Sequence, residues 1–116
     1  HCGGMPYDQQ LVERIRPMLE PYEPVDERRM FGGLAFLVHE HMAVCVLGSG
    51  GIMVRVLEEE REALLLLDGA GPMEMTPGRP SRTWLRVQDA VLDDDAALAE
   101  WVERAADVAI DLPPKS

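Results

Sequence analysis

Three side chains close together in the chain are of types that could do chemistry: His39, His41 and Cys45. In an extended strand, residues two apart point to the same side, so His39 and His41 would share a side, with Cys45 a further strand pair along. Imidazole and thiolate are zinc ligands, and a thiol beside an imidazole is a nucleophile with its base. A closed zinc site wants a fourth ligand, and Glu40 would face the wrong way. Cys45 lies in the apolar run 42–47, where a thiol behaves as a small inert hydrophobe, whereas a nucleophile must be exposed and of low pKa. Ser49 and Ser81 have no nucleophile elbow around them. The run Gly48-Ser49-Gly50-Gly51 has neither the lysine nor the helix start of a phosphate-binding loop. The acidic runs Glu58-Glu59-Glu60 and Asp93-Asp94-Asp95 fit helix starts, where the helix dipole favours negative charge. The sequence therefore assigns no catalytic, metal or cofactor-binding residue and no cofactor. A small-ligand or enzyme pocket near Cys45 and His41 stands as the alternative reading.

A different kind of chemistry, recognition, is carried by Arg28-Arg29-Met30-Phe31-Gly32-Gly33. Two arginines meet a double glycine, and five apolar residues, 34–38, follow. Arginines are rarely buried unpaired, so the environment must change between them and that apolar run, and glycine permits the sharp hairpin that such a change needs. Arg55, Trp84 and Arg86 fall on alternating strand positions that could share the same outer side as Arg28. Arginine and tryptophan are enriched where proteins meet, so this set is the candidate interaction surface.

The elements that must position these residues follow from periodicity. Asp8 suits an N-cap for a helix over 8–20 whose apolar positions Leu11, Val12, Ile15, Met18 and Leu19 recur at three and four, with a kink or early end expected at Pro17. Residues 25–31 are polar for much of their length, as in an edge strand whose charges discourage stray pairing. The runs 34–38 and 42–47 are apolar on both sides and read as central strands, joined by a short turn at 39–41. A glycine turn leads to an alternating strand, 52–56. Residues 58–67 read as a helix with an acidic start and an apolar end, stopped by Asp68-Gly69. A short strand at 73–75, a loop at 76–81 and a strand at 83–87 precede a last helix. That helix is capped by the aspartates and carries Leu98, Trp101, Val102, Ala105 and Ala109 on one face, and Pro113-Pro114 closes it. The expected fold class is α+β: an antiparallel sheet, a meander of about four strands plus one or two more, backed by about three helices.

A chain of 116 residues with 47% hydrophobic content can bury one ordinary core, so one domain is expected over 5–116. His1-Cys2-Gly3-Gly4 reads as a tag remnant or disordered leader ahead of Met5. Eleven basic against 21 acidic residues give a formal charge of −10, which argues against direct nucleic-acid binding, since phosphate contacts need clustered lysine and arginine. Two cysteines in unlike contexts make no disulfide framework, and no run approaches the roughly 20 apolar residues of a membrane span. A cytoplasmic protein without membrane attachment is the expectation. Its partner would be another protein or a second copy of itself as a homodimer.

With this order of elements, the chain resembles the N-terminal domain of the TfoX/Sxy competence-regulator family from Tyr7 to Pro114. The resemblance rests on Arg29-Met30-Phe31-Gly32-Gly33 and the strand after it, Met42-Ala43, Met53-Val54-Arg55-Val56, Pro72-Met73, Gly78-Arg79-Pro80, Trp84 and the closing run from Leu98 to Ala105. It implies a compact α+β domain with a secretion-chaperone-like architecture. It also implies a regulatory role, since full-length TfoX/Sxy proteins promote transcription of DNA-uptake genes alongside the cyclic-AMP receptor protein. The family carries no catalytic residues to transfer. Such proteins have a second, helical C-terminal domain that this sequence does not include, so the expectation is a stand-alone, non-enzymatic interaction module.

Overall fold

The computed structural model describes residues 7–30 and 32–113. The leader at 1–4, Phe31 and the closing Pro114 lie outside the described residues. Helix α1 (Gln9–Met18) starts where Asp8 Oδ1 accepts the Leu11 amide at 3.2 Å, as the capping expectation required. It runs through Pro17, whose missing amide leaves the Glu13 carbonyl without its helical donor on the exposed side, ends one residue later, and a single 3₁₀ turn (Glu20–Tyr22) follows.

The sheet is built from β1 (Val25–Met30), β2 (Gly33–Val38), β3 (His41–Val46), β4 (Ile52–Arg55), β5 (Ala70–Thr76) and β6 (Arg79–Val87). All six are antiparallel in the order β1-β2-β3-β4-β6-β5, which makes β1 and β5 the two edges. The first four strands form the expected meander, and the β5–β6 hairpin adds the other two. Residues 76–81, expected as a loop, are mostly strand. Pro77-Gly78 is a tight turn with Gly78 at φ +82°, and pairing resumes at once with Thr76 opposite Arg79.

The expected helix over 58–67 is a 3₁₀ turn (Glu58–Glu60) and one short helix, α2 (Arg61–Leu64). Four consecutive leucines point all round a helix, and only the side against the sheet is covered. Leu64 is buried, while Leu66 is 86% exposed. A further single turn, α3 (Asp89–Leu92), precedes α4 (Asp95–Ile110), whose start is capped by Asp94 accepting the Ala96 amide at 3.1 Å.

Leu11, Val12 and Ile15 of α1 and Leu98, Trp101, Val102, Ala105 and Ala109 of α4 pack on one face of the sheet. There they meet Leu34, Phe36, Val38, Val44, Val46, Ile52, Val54, Leu85 and Val87. The opposite face carries a second cluster of Ala35, Leu37, Cys45, Leu47, Met53 and Trp84, flanked by Met30, Met42 and Met73. The result is an α+β domain with helices on one side and an apolar layer on the other.

Candidate functional site

The register of the strands decides which of the recognition residues share a face. Arg28 lies opposite Ala35, and Met30 opposite Gly33, while Arg29 lies opposite Leu34. Paired residues point to the same side, so Arg28 and Met30 belong to the face of the second cluster and Arg29 to the helix face. Met53 pairs with Arg86 and Arg55 with Trp84, which puts Arg55, Trp84 and Arg86 on the side of Arg28. The alternation thus brings Arg28, Met30, Arg55, Trp84 and Arg86 to one face and sends Arg29 to the other. Strands are about 4.8 Å apart, so Arg28 on β1 and Arg55 on β4 are separated by about 14 Å of sheet. The set is two features: a corner at residues 28–33 and a cluster around Trp84.

The corner is open. Arg28, Arg29 and Gly32 are exposed, Met30 is half-buried, and no carboxylate lies within ion-pair distance of either arginine among the described residues. Gly32 takes φ +71°, the left-handed conformation that closes the hairpin. Gly33 is buried for another reason: a Cβ there would lie 1.8 Å from the Val46 carbonyl oxygen of β3.

The cluster around Trp84 is closed. Trp84 is only 6% exposed, so it is a packing residue of the second cluster, not a free aromatic. The Arg55 guanidinium lies 4.7 Å over its ring, and Arg55 Nε donates to the Met42 carbonyl at 2.6 Å. Burial lowers the Arg55 pKa, and the ring face and the carbonyl compensate for part of the lost water. Arg86 Nη2 donates to Gly50 O at 2.9 Å and to Ser49 Oγ at 3.2 Å, while Asp89 accepts the Gly51 amide at 2.9 Å. Together they hold the glycine turn between β3 and β4.

The residues that suggested metal or nucleophile chemistry are taken apart by one irregularity. Between Phe36 and Leu37 the β2–β3 register shifts, leaving Ala43 as an extra residue on β3. Ala43 and Val44 both belong to the helix-side cluster, so the alternation resets before Cys45. His41 lies opposite Val38 on the helix side, whereas Cys45 is buried in the second cluster. The His41 ring bonds to the Pro113 carbonyl at 2.6 Å and the His39 ring to the Glu23 carbonyl at 3.3 Å. Burial pushes the Cys45 thiol up to about 11, the opposite of an activated nucleophile. No group of three or more histidine, cysteine or acidic side chains among the described residues could hold a metal ion.

Two clefts were not anticipated from the sequence. One, of about 430 Å³, lies beside the glycine turn and is lined by Ser49, Gly50, Gly71, Arg86 and Asp89. The other, of about 570 Å³, runs along α4 beside Leu57 and is lined by Glu100, Glu103, Arg104 and Asp107. Its acids recur at helical spacing, a signal present in the sequence, but the neighbouring Leu57 comes from a distant segment. Neither cleft is lined by Cys45 or His41.

No helix among the described residues is long and apolar enough to cross a membrane. The family model described as the TfoX N-terminal domain matches residues 17–109, from the end of the first helix to the end of the last. No curated protein and no solved structure matches the chain.

Proposed function

Because the chain belongs to the TfoX N-terminal domain family, we propose that it serves as a regulatory, non-enzymatic module that binds another protein chain through the corner at residues 28–33 and the adjoining sheet edge. The observation that carries this reading is the corner itself. Arg28 and Arg29 stand exposed and without ion-pair partners among the described residues, at the tip of an edge strand, on a chain whose formal charge is −10. Exposed arginines with free donors suit bidentate pairing to carboxylates on a partner. Trp84, Arg55 and Arg86 lie farther along the same face and fix the sheet there, Trp84 by packing, Arg55 through its bond to the Met42 carbonyl and Arg86 through its bonds to the glycine turn.

The alternative, a ligand or enzyme pocket near Cys45 and His41, is disfavoured by their placement on opposite faces and by the buried, protonated thiol. The test is capture of partners from the native host by the wild-type domain and by the double variant Arg28→Glu, Arg29→Glu. Both residues are exposed, so circular dichroism and the melting temperature stay near wild type while capture falls at least ~10-fold. Equal capture by both forms rejects the corner as the binding surface.

A further inference from the structure

The two edges of the sheet differ. β5 carries Pro72 and loses register twice against β6, between Pro72 and Glu74 and between Glu74 and Thr76, the irregularity that blunts an edge. β1 pairs with β2 through six consecutive residues without a break, and no other strand among the described residues pairs with its outer side. The His39 amide donates to the Pro24 carbonyl at 3.1 Å, which fixes the parity of the ladder: even-numbered residues of β1 turn their backbone toward β2. Val25, Glu27 and Arg29 therefore turn theirs outward. The Val25 amide, facing out, is satisfied by Glu23 Oε1 at 3.1 Å. The outward groups of Glu27 and Arg29 have no such cover among the described residues.

The charges along β1 are ordered: Asp26 and Glu27 are acidic, Arg28 and Arg29 basic. A two-fold axis relating two antiparallel strands must pass through a residue paired with its own copy. Centring on Asp26, Arg28 or Arg29 sets two unneutralised like charges face to face. Centring on Glu27 does not, because Arg16 Nε and Nη2 already hold both carboxylate oxygens of Glu27, at 2.7 and 2.8 Å. In that register each Asp26 faces Arg28 of the second copy, twice over, and both residues are exposed on the same side of the sheet.

From this order of charges on an unblunted edge we infer that the chain pairs with a second copy of itself, β1 against β1, centred on Glu27. The amides of Glu27 and Arg29 then donate to carbonyls of the other copy, and the sheet continues across the two-fold axis. This names the partner for the reading above and rests on it.

Sedimentation equilibrium in low salt, from about 10 μM to about 1 mM, tests the pairing, because a single-edge contact is small. The wild-type chain self-associates, and Arg28→Asp or Asp26→Arg alone weakens the association at least ~10-fold by setting like charges opposite one another. The combined variant Asp26→Arg, Arg28→Asp restores it. Arg29→Pro removes an outward amide but no bond to β2, so it abolishes association while the melting temperature stays close to wild type. A chain that remains monomeric throughout the range, or single variants that associate like wild type, overturns the inference. A monomer that still captures a host protein in an Arg28-dependent manner overturns the second copy as occupant and leaves the interaction reading standing.

Discussion

Gly32 and Gly33 are neighbours that are glycine for different reasons, and substitution separates them. At Gly32 the backbone has φ +71° and the space around a Cβ is open, so Gly32→Ala meets only conformational strain, about 1 kcal/mol. At Gly33 the added methyl group would run into the Val46 carbonyl, which belongs to the ladder and cannot swing aside as a side chain would. Gly33→Ala is expected to cost about 2–3 kcal/mol and to separate β2 from β3 locally. Urea unfolding of the two variants measures the difference, and equal losses would show that the close approach at Gly33 is relieved elsewhere. Arg55 illustrates the same dependence on surroundings. Its type suggested a recognition residue, yet the ring of Trp84 and the Met42 carbonyl occupy it.

Among the elements, β1 is an edge strand placed by its ladder to β2 and steadied by charge. Its only ion pair among the described residues joins Glu27 to Arg16 of α1 and so ties the edge strand to the helix layer. The hydrogen bond from Arg16, working against burial, holds the Glu27 carboxyl below its ordinary 4.5. A carboxyl held low in the folded chain adds stability above its unfolded pKa, and that stability disappears as pH falls through the folded value. The pair is well solvated, with 47% and 32% of the two side chains exposed, so its contribution is small. Arg16→Met should lower stability slightly at neutral pH, and the difference from wild type should close below about pH 4. Denaturant midpoints measured across pH provide the check, and a gap that persists at pH 3 would assign the loss to packing instead. The short helix α2 shows the reverse balance, because consecutive leucines gave an apolar run no periodicity to orient it.

At the scale of the molecule, the sheet is apolar on both sides although the long helices cover only one. Ala35, Cys45 and Met53 are fully buried on the other side, and Trp84 is one of the large side chains that close over them. Trp84→Ala is therefore expected to cost about 3–4 kcal/mol, whereas Leu66→Ala, at an exposed position, stays within about 0.5 kcal/mol. Chemical denaturation of the two variants reads the contrast directly. A small loss at Trp84 would mean that the second cluster contributes little and that the face is open to ligands. Most of this architecture was legible beforehand. The caps at Asp8 and Asp94, the meander and the amphipathic last helix follow from local rules of spacing and hydrogen bonding. That Cys45 would be inert was legible from its apolar run; that His41 would lie on the opposite face was not, since it turns on one extra residue in β3 that no local pattern marks.

The order of strands and helices, the glycine hairpin and the exposure of Arg28 and Arg29 were determined by the chain's own periodicity, because burial acts on each residue according to its type. Which side chains face one another was decided only in three dimensions. A bulge at Ala43, the unbroken register of β1 against β2 and the folding of Arg55 over Trp84 depend on strands distant in sequence. Contact across a sheet is fixed by register, and a shift of one residue sends every later side chain to the other face.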